Sequence, residues 1–317
     1  MEIARVLVEG DAHLCSKNRG AHRDYPKESL DYFNYVTEVA KNYGCTYIVN
    51  LGDLTYGRFG TLEYRKLVDE AFENRNKACN NNFYVLKGNH DSATYGQTEY
   101  EYYLQKGVFK GAENLVLGKV NLNMINFGEE ASAVLNIDDE HTNILLAHGY
   151  YKFKSTDLPP YGEPVVLDDF EKWFGLNYLI CGHIHKEHAF KGNIIKENRA
   201  IECSVHYVPC LSRPSYEGDD TPTVGAVDII RIFDDAEPEV MRVEIPLLPI
   251  EQSFNLEQKK AEQEHKERVS VDVSDIVKEL SEFERVAGEP DNVIRNMEEV
   301  DIRYRNKALE LLKEAEA

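Results

Sequence analysis

The sequence predicts an α/β fold carrying a charged, mainly helical C-terminal extension. Three observations predict it. Six short apolar runs each end in glycine, five of them beside an aspartate, asparagine or histidine; segments of helical spacing separate the first three; and charge rises sharply after residue 250.

The runs are IARVLVEG (3 to 10), TYIVNLGD (46 to 53), NFYVLKGN (82 to 89), KVNLNMINFG (119 to 128), NILLAHG (143 to 149) and NYLICGH (177 to 183). Residues 29 to 44 repeat apolar positions at helical spacing and stop on Gly44, and residues 61 to 79 look similar. Strand, helix, strand, helix, strand implies parallel pairing through crossover helices. Ligands then gather outside the carboxyl ends of the strands. Further on, TVGAVDIIRIF and EVMRVEIPLL flank the turn-like DDAEP and read as an antiparallel pair. Of the 67 residues from 251 to 317, 29 are charged, so the sequence divides into residues 1–249 and a helical extension, 250–317. Within the extension, Ile276, Val277, Leu280 and Phe283 are sparse apolar positions suited to docking on a partner.

Composition narrows the class. No apolar run approaches the roughly 18 to 20 residues that cross a bilayer, so no membrane association is expected. The first ten residues read as a strand rather than a secretory signal, and the six cysteines are scattered without a Cys-x-x-Cys pair. Reduced thiols and a cytoplasmic location are expected. A net charge of −20 argues against non-specific, salt-driven binding to nucleic acid, although acids gathered at a metal site contribute to it.

Five pieces sit at strand ends: Asp11-Ala12-His13, Gly52-Asp53, Gly88-Asn89-His90-Asp91, His148-Gly149 and Gly182-His183-Ile184-His185. In extended backbone, residues i and i+2 point the same way, so Asp11 with His13, and His183 with His185, can each present two ligands to one cavity. Carboxylate, imidazole and amide donors without thiolate suit manganese, iron or zinc. Each piece alone is weak; all five in order point to a metal site.

This ordered set resembles the calcineurin-like metallophosphoesterases, and the match spans residues 10 to 185. The resemblance implies a four-layer αββα sandwich with a binuclear metal centre at one edge. It implies that Asp11, His13, Asp53 and His185 hold one divalent ion, and that Asp53, Asn89, His148 and His183 hold the other, with Asp53 bridging. Manganese is the first expectation, with iron or zinc as alternatives. Such a pair can turn a bridging water into hydroxide and polarise the phosphoryl oxygen. His90 is then a catalytic residue on the leaving-group side, oriented by Asp91.

The segment from 161 to 188 resembles DNA-repair exonucleases of the SbcD type and phage recombination endonuclease subunits. VPCLSRPS (208 to 215) resembles their Pro-Gly-Ser turn, with Cys210 in place of glycine. Such nucleases act with an SMC-like ATPase, often as dimers, so an ATPase docking on the C-terminal helices and a homodimer are the implied partners. Three features depart from that pattern: Tyr56 stands where an acid or histidine is usual, the C-terminal region is short for a full DNA-capping domain, and no basic stripe for duplex DNA is present. The expected activity is a metal-dependent DNA nuclease. The alternative is a nucleotide phosphodiesterase or a phosphatase, protein phosphatases included; a non-catalytic scaffold ranks last because no ligand is missing.

Four further readings concern the rim. Lys17, Arg19 and Arg58 follow the first two motifs and can meet a phosphate, with ordinary solvated side chains at least as expected. Tyr56, Tyr95, Tyr150, Tyr151 and Tyr161 can stack a base, with plain packing somewhat more expected. His22, His141 and His265 are expected to be solvated. His188 is expected at the surface or substrate rim rather than among the ligands.

Overall fold

The structure, a computed structural model, describes residues 1–92, 96–159, 161–169, 171–215, 222–261, 305–307 and 309–310. The chain divides into two units, Met1–Asn255 and Leu256–Ala317. The expectations placed on Tyr95, His265, Ile276, Val277, Leu280 and Phe283 lie outside the described residues.

In chain order the first unit runs β1 (Glu2–Glu9), α1 (Tyr25–Asn42), β2 (Tyr47–Asn50), α2 (Leu62–Ala78), β3 (Phe83–Val85), α3 (Glu99–Gln105), β4 (Leu115–Leu117), β5 (Val120–Ile125) and β6 (Thr142–His148). There follow β7 (Tyr151–Lys152), β8 (Val165–Val166), two single-turn 3-10 helices (Leu167–Asp169 and Glu171–Trp173), β9 (Tyr178–Gly182), β10 (His188–Lys196), β11 (Arg199–Tyr207), β12 (Val224–Phe233), β13 (Glu239–Pro246) and the short α4 (Ile250–Ser253). One sheet is ordered β13-β12-β1-β2-β3 and the other β10-β11-β9-β6-β5-β4.

The apolar runs are continuous because their strands are covered on both faces. In β1, Leu7 faces the helices while Val6 and Val8 face the second sheet; in β6, Leu145 and Ala147 face outward while Ile144 and Leu146 meet the first sheet. Three apolar clusters therefore separate four layers. The helical layer packs Phe33 and Val36 of α1, Val68 and Phe72 of α2, and Tyr103 of α3 onto the first sheet. The fourth layer is thin: Tyr151, Leu167 and Trp173, from short strands and 3-10 turns, cover the second sheet.

β1, β2 and β3 pair in parallel, as do β5, β6 and β9, and β12 with β13 forms the expected antiparallel pair. β12 also pairs antiparallel with β1, which puts the hairpin on the edge of the first sheet. α1 begins four residues before the spacing alone indicates, because the Asp24 side chain accepts from Lys27 N at 3.2 Å and Pro26 stands in the first turn. The β10–β11 hairpin and α3 are additional to the sequence reading. α3 announces itself by a capping box, Thr98 with Glu101.

Under α2 lies a buried ion pair. Arg75 reaches Glu9 of β1, donates to Thr37 Oγ1 at 3.0 Å and lies over the Phe33 ring at 3.3 Å. His22 is not solvated. It is buried between Tyr25 and Phe254, 3.8 Å from Glu28, because residues 250–255 fold back onto its loop: Arg23 N donates to Ser253 O and Asn255 N to Ala21 O. His141, by contrast, is partly exposed, its ring 2.8 Å from Asp138 Oδ1 at the surface. All six cysteines are free and buried. Among the described residues, no helix is long and apolar enough to cross a membrane.

Candidate metal centre

The parallel strands of both sheets end at one edge, and each delivers a loop there: Asp11 and His13 after β1, Asp53 after β2, Asn89 to Asp91 after β3, His148 at the end of β6, and His183 and His185 after β9. In cross-section β1 and β2 finish level, Glu9 opposite Asn50, as do β6 and β9, His148 opposite Gly182. This common ending brings side chains as distant as residues 11 and 185 into one cluster.

The turns are tighter than extended backbone. His13 (φ 48°), Asp53 (φ 49°) and His183 (φ 85°) all occupy the left-handed region, which costs a non-glycine residue of order 1–3 kcal/mol. The expectation that Asp11/His13 and His183/His185 reach one cavity by extended i, i+2 spacing is thereby corrected: the pairs converge through strained turns, and His183 and His185 go to different halves. Glycine lets the loops approach. A Cβ on Gly88 would stand 2.1 Å from Asp53 Oδ1, and one on Gly52 would stand 2.6 Å from His148 Nδ1.

In the first half, Asp11 Oδ2 lies 3.7 Å from His13 Nε2 and 3.4 Å from His185 Nε2, and the two histidine nitrogens are 3.1 Å apart. In the second, Asn89 Oδ1 is 3.0 Å from both His148 Nε2 and His183 Nδ1, with Asp53 Oδ2 3.4 Å from His148 Nε2. Asp53 also falls within 4.8 Å of the Asp11 and His13 ligand atoms, so its carboxylate serves both halves.

Electrostatics agree with a cation site. Burial raises the Asp11 carboxyl, but His148, His185 and His13 outweigh it and hold it well below the usual range; Asp53 is lowered likewise, chiefly by His148. Burial lowers His148, yet Asp11 and Asp53 overcome this and raise it to about 9. Burial takes His13 down to about 3 and also lowers His183. Asp11 Oδ2 is buried without a hydrogen-bond partner. Two carboxylates, one of them with an orphaned oxygen, and imidazoles facing one another form a donor set that divalent cations satisfy. The residues present therefore fit the two-metal expectation.

His90 is exposed at the rim and lies outside this donor cluster, its ring 5.3 Å from His13 and its backbone N–H donating to Asp53 Oδ1 at 2.7 Å. Asp91 is brought near but faces away. Its carboxylate accepts from Thr55 N, Thr55 Oγ1 and Gly88 N at 3.0–3.1 Å, and no hydrogen bond joins it to His90 among the described residues. Burial and the Asp53 charge raise Asp91 to about 6.

The open cleft, about 290 Å³, is lined by Asp53, Asn89, His90, Tyr161, His183, His185 and Lys186. Of the rim candidates, Tyr150 and Tyr151 are buried packing residues, Arg58 and Lys17 are exposed away from this cleft, and His188 begins β10 against Tyr207. The VPCLSRPS segment braces the first loop: Leu211 N donates to Asp11 O and Ser212 Oγ to Ala12 O. Cys210 brings a thiol within 4.8 Å of the His13 and His185 ligand atoms, a neighbour that motif spacing does not reveal. That thiol contacts Asp11 O at 3.1 Å, and burial raises it far above its ordinary value.

A family model described as calcineurin-like phosphoesterase matches residues 4–187, more than half of the chain. The chain belongs to that family, whose members use two divalent metals. No curated protein matches it. Among solved structures it is similar to a dimetal phosphatase from Danio rerio, at 11% identity and TM-score 0.46, and to Vps29 from Chaetomium thermophilum, at 10% identity and TM-score 0.34. Each likeness covers 78% of this chain and 100% of the other, and at these scores neither speaks to substrate.

Proposed function

We propose that the chain is a binuclear metal-dependent phosphodiesterase acting on DNA as a nuclease. The carrying observation is the convergence of seven donor residues behind an open cleft with an exposed imidazole, His90, at its mouth. Asp11, His13, Asp53 and His185 would hold one ion and Asp53, Asn89, His148 and His183 the other. Manganese is the proposed ion, with iron or zinc as alternatives, because oxygen and nitrogen donors without a thiolate suit all three. When bound, the two cations supply water activation and polarisation of the phosphoryl group.

The chain's own residues do the rest. His90, fixed through its backbone by Asp53, gives a proton to the departing oxygen. Asp91 holds Thr55 and Gly88, and so sets the turn on which His90 rides. Lys186 and Tyr161 line the mouth, where a charged backbone and a base can rest. An open cleft suits a polymer that must pass through it. Six free thiols support a cytoplasmic setting. Residues 250–317 are the proposed docking segment for an SMC-like ATPase.

The net charge of −20 favours a second reading, a phosphodiesterase or phosphatase for small nucleotides or phosphoproteins. The two are separated by manganese-dependent nucleotide release from end-labelled single- and double-stranded DNA beside an aryl phosphodiester, with His90→Ala as control. Degradation by the parent and sparing by the variant supports the nuclease. Cleavage of the aryl ester alone moves the substrate to small nucleotides.

A further inference from the structure

We propose that Arg19, which lies outside the five metal motifs, is a phosphate-binding residue that takes a phosphoryl oxygen at this centre. The inference rests on the phosphoesterase reading and adds the group that recognises the substrate's charge. Arg19 stands in the loop between β1 and α1, half-buried, with its guanidinium carbon 3.9 Å over the Tyr56 ring and 5.4 Å from that of Tyr25. Tyr56 in turn lies 4.9 Å from the His90 ring and 5.9 Å from that of His13. A chain of contacts, edge-on to His13 and tilted to His90, thus runs from the guanidinium through Tyr56 to the two imidazoles.

What sets Arg19 apart is the company it lacks. Arg5, Arg65, Arg75, Arg213, Arg231 and Arg242 each have a carboxylate partner, whereas Arg19 has none among the described residues; Arg23 and Arg58 have none either but are exposed, while Arg19 is half-buried. Its Nη1 is buried with no acceptor. An open N–H of that kind is costly, and a ring face repays only part of that cost. A phosphoryl oxygen offers both the acceptor and the countercharge, and a change of rotamer in the outer bonds presents the fork to it.

Tyr56 therefore has a different task from base stacking: one face is already covered by the guanidinium. A tyrosine in the place where an acid or histidine is usual makes sense as the cradle for this arginine, since an acid there would neutralise it. Lys17 and Arg58, the other cations considered, are exposed, and Arg58 lines a separate cavity with Arg65, Gln97 and Tyr102.

The test is calorimetric titration of inorganic phosphate into manganese-loaded protein, with manganese stoichiometry measured alongside. Arg19→Ala, and Arg19→Gln, which keeps a stem over Tyr56, are expected to weaken phosphate binding roughly tenfold or more, the scale of a hydrogen bond to a charged group. Arg58→Ala, which removes a cation of a separate cavity, is expected to bind as the parent does. Phosphate affinity within about twofold of the parent in both Arg19 variants, with manganese retained, overturns the proposal. So does a manganese-loaded parent that binds no phosphate. DNA turnover is not read in this titration, so failure of the nuclease reading leaves its result intact.

Discussion

The Asp53 carboxylate accepts the backbone N–H of His90 at 2.7 Å through one oxygen and faces His148 Nε2 at 3.4 Å through the other. The residue proposed to bridge two ions is thus also the one that fixes the proposed proton donor. Ligand and donor are joined by a backbone contact, so the His90 ring can be changed without disturbing Asp53.

Replacing His90 by alanine or asparagine is expected to leave manganese stoichiometry unchanged and to lower kcat by about 10²–10⁴. The loss should shrink as the leaving group becomes more acidic, because such a group departs without a proton. Kinetics on a series of aryl phosphodiesters check this. An equal loss for every leaving group, or loss of metal, removes His90 from that role.

Arg75 is fully buried and tied to Glu9, Thr37 and the Phe33 carbonyl. Arg75→Met alone leaves Glu9 buried without its partner and is expected to destabilise the first unit by about 3–5 kcal/mol. Combining it with Glu9→Gln should recover part of that. Urea denaturation of the single and double variants checks both statements.

A pH dependence follows from Glu28. Burial raises its carboxyl, but His22, Ser253 and Arg213 outweigh it, and the group sits below its ordinary value of 4.5. A lowered folded value means that the unfolded chain binds the proton more readily. The stabilisation is therefore present above about pH 4.5 and is lost as pH falls through the folded value. Denaturant midpoints at pH 7 and pH 4 are expected to differ less in Glu28→Gln than in the parent. An unchanged difference would mean that Glu28 carries none of the acid sensitivity.

Much of this was legible in the sequence. Strands buried on both faces leave unbroken apolar runs, and the chemistry-bearing residues follow them directly, so the order of the motifs placed the site at one edge. The left-handed turns at His13, Asp53 and His183 left no such mark, since nothing in those residue types demands positive φ. His22 looked solvated among Arg, Gly and Asp neighbours, yet Phe254, 232 residues later, covers it (254 − 22). The β10–β11 hairpin was hidden because one face is exposed and its alternation is interrupted by lysines and glutamates. The resemblance makes Asp91 the group that orients His90, whereas the turn sends its carboxylate to Thr55.

The central claim is that five loops hold two divalent ions through a shared Asp53 carboxylate. Electron paramagnetic resonance of manganese-loaded protein tests it most directly, because two bridged ions couple magnetically. The account predicts two manganese ions per chain with a coupled, many-line spectrum, collapsing in Asp53→Asn to uncoupled or lost metal. A single uncoupled ion per chain in the parent, unchanged by Asp53→Asn, would contradict it.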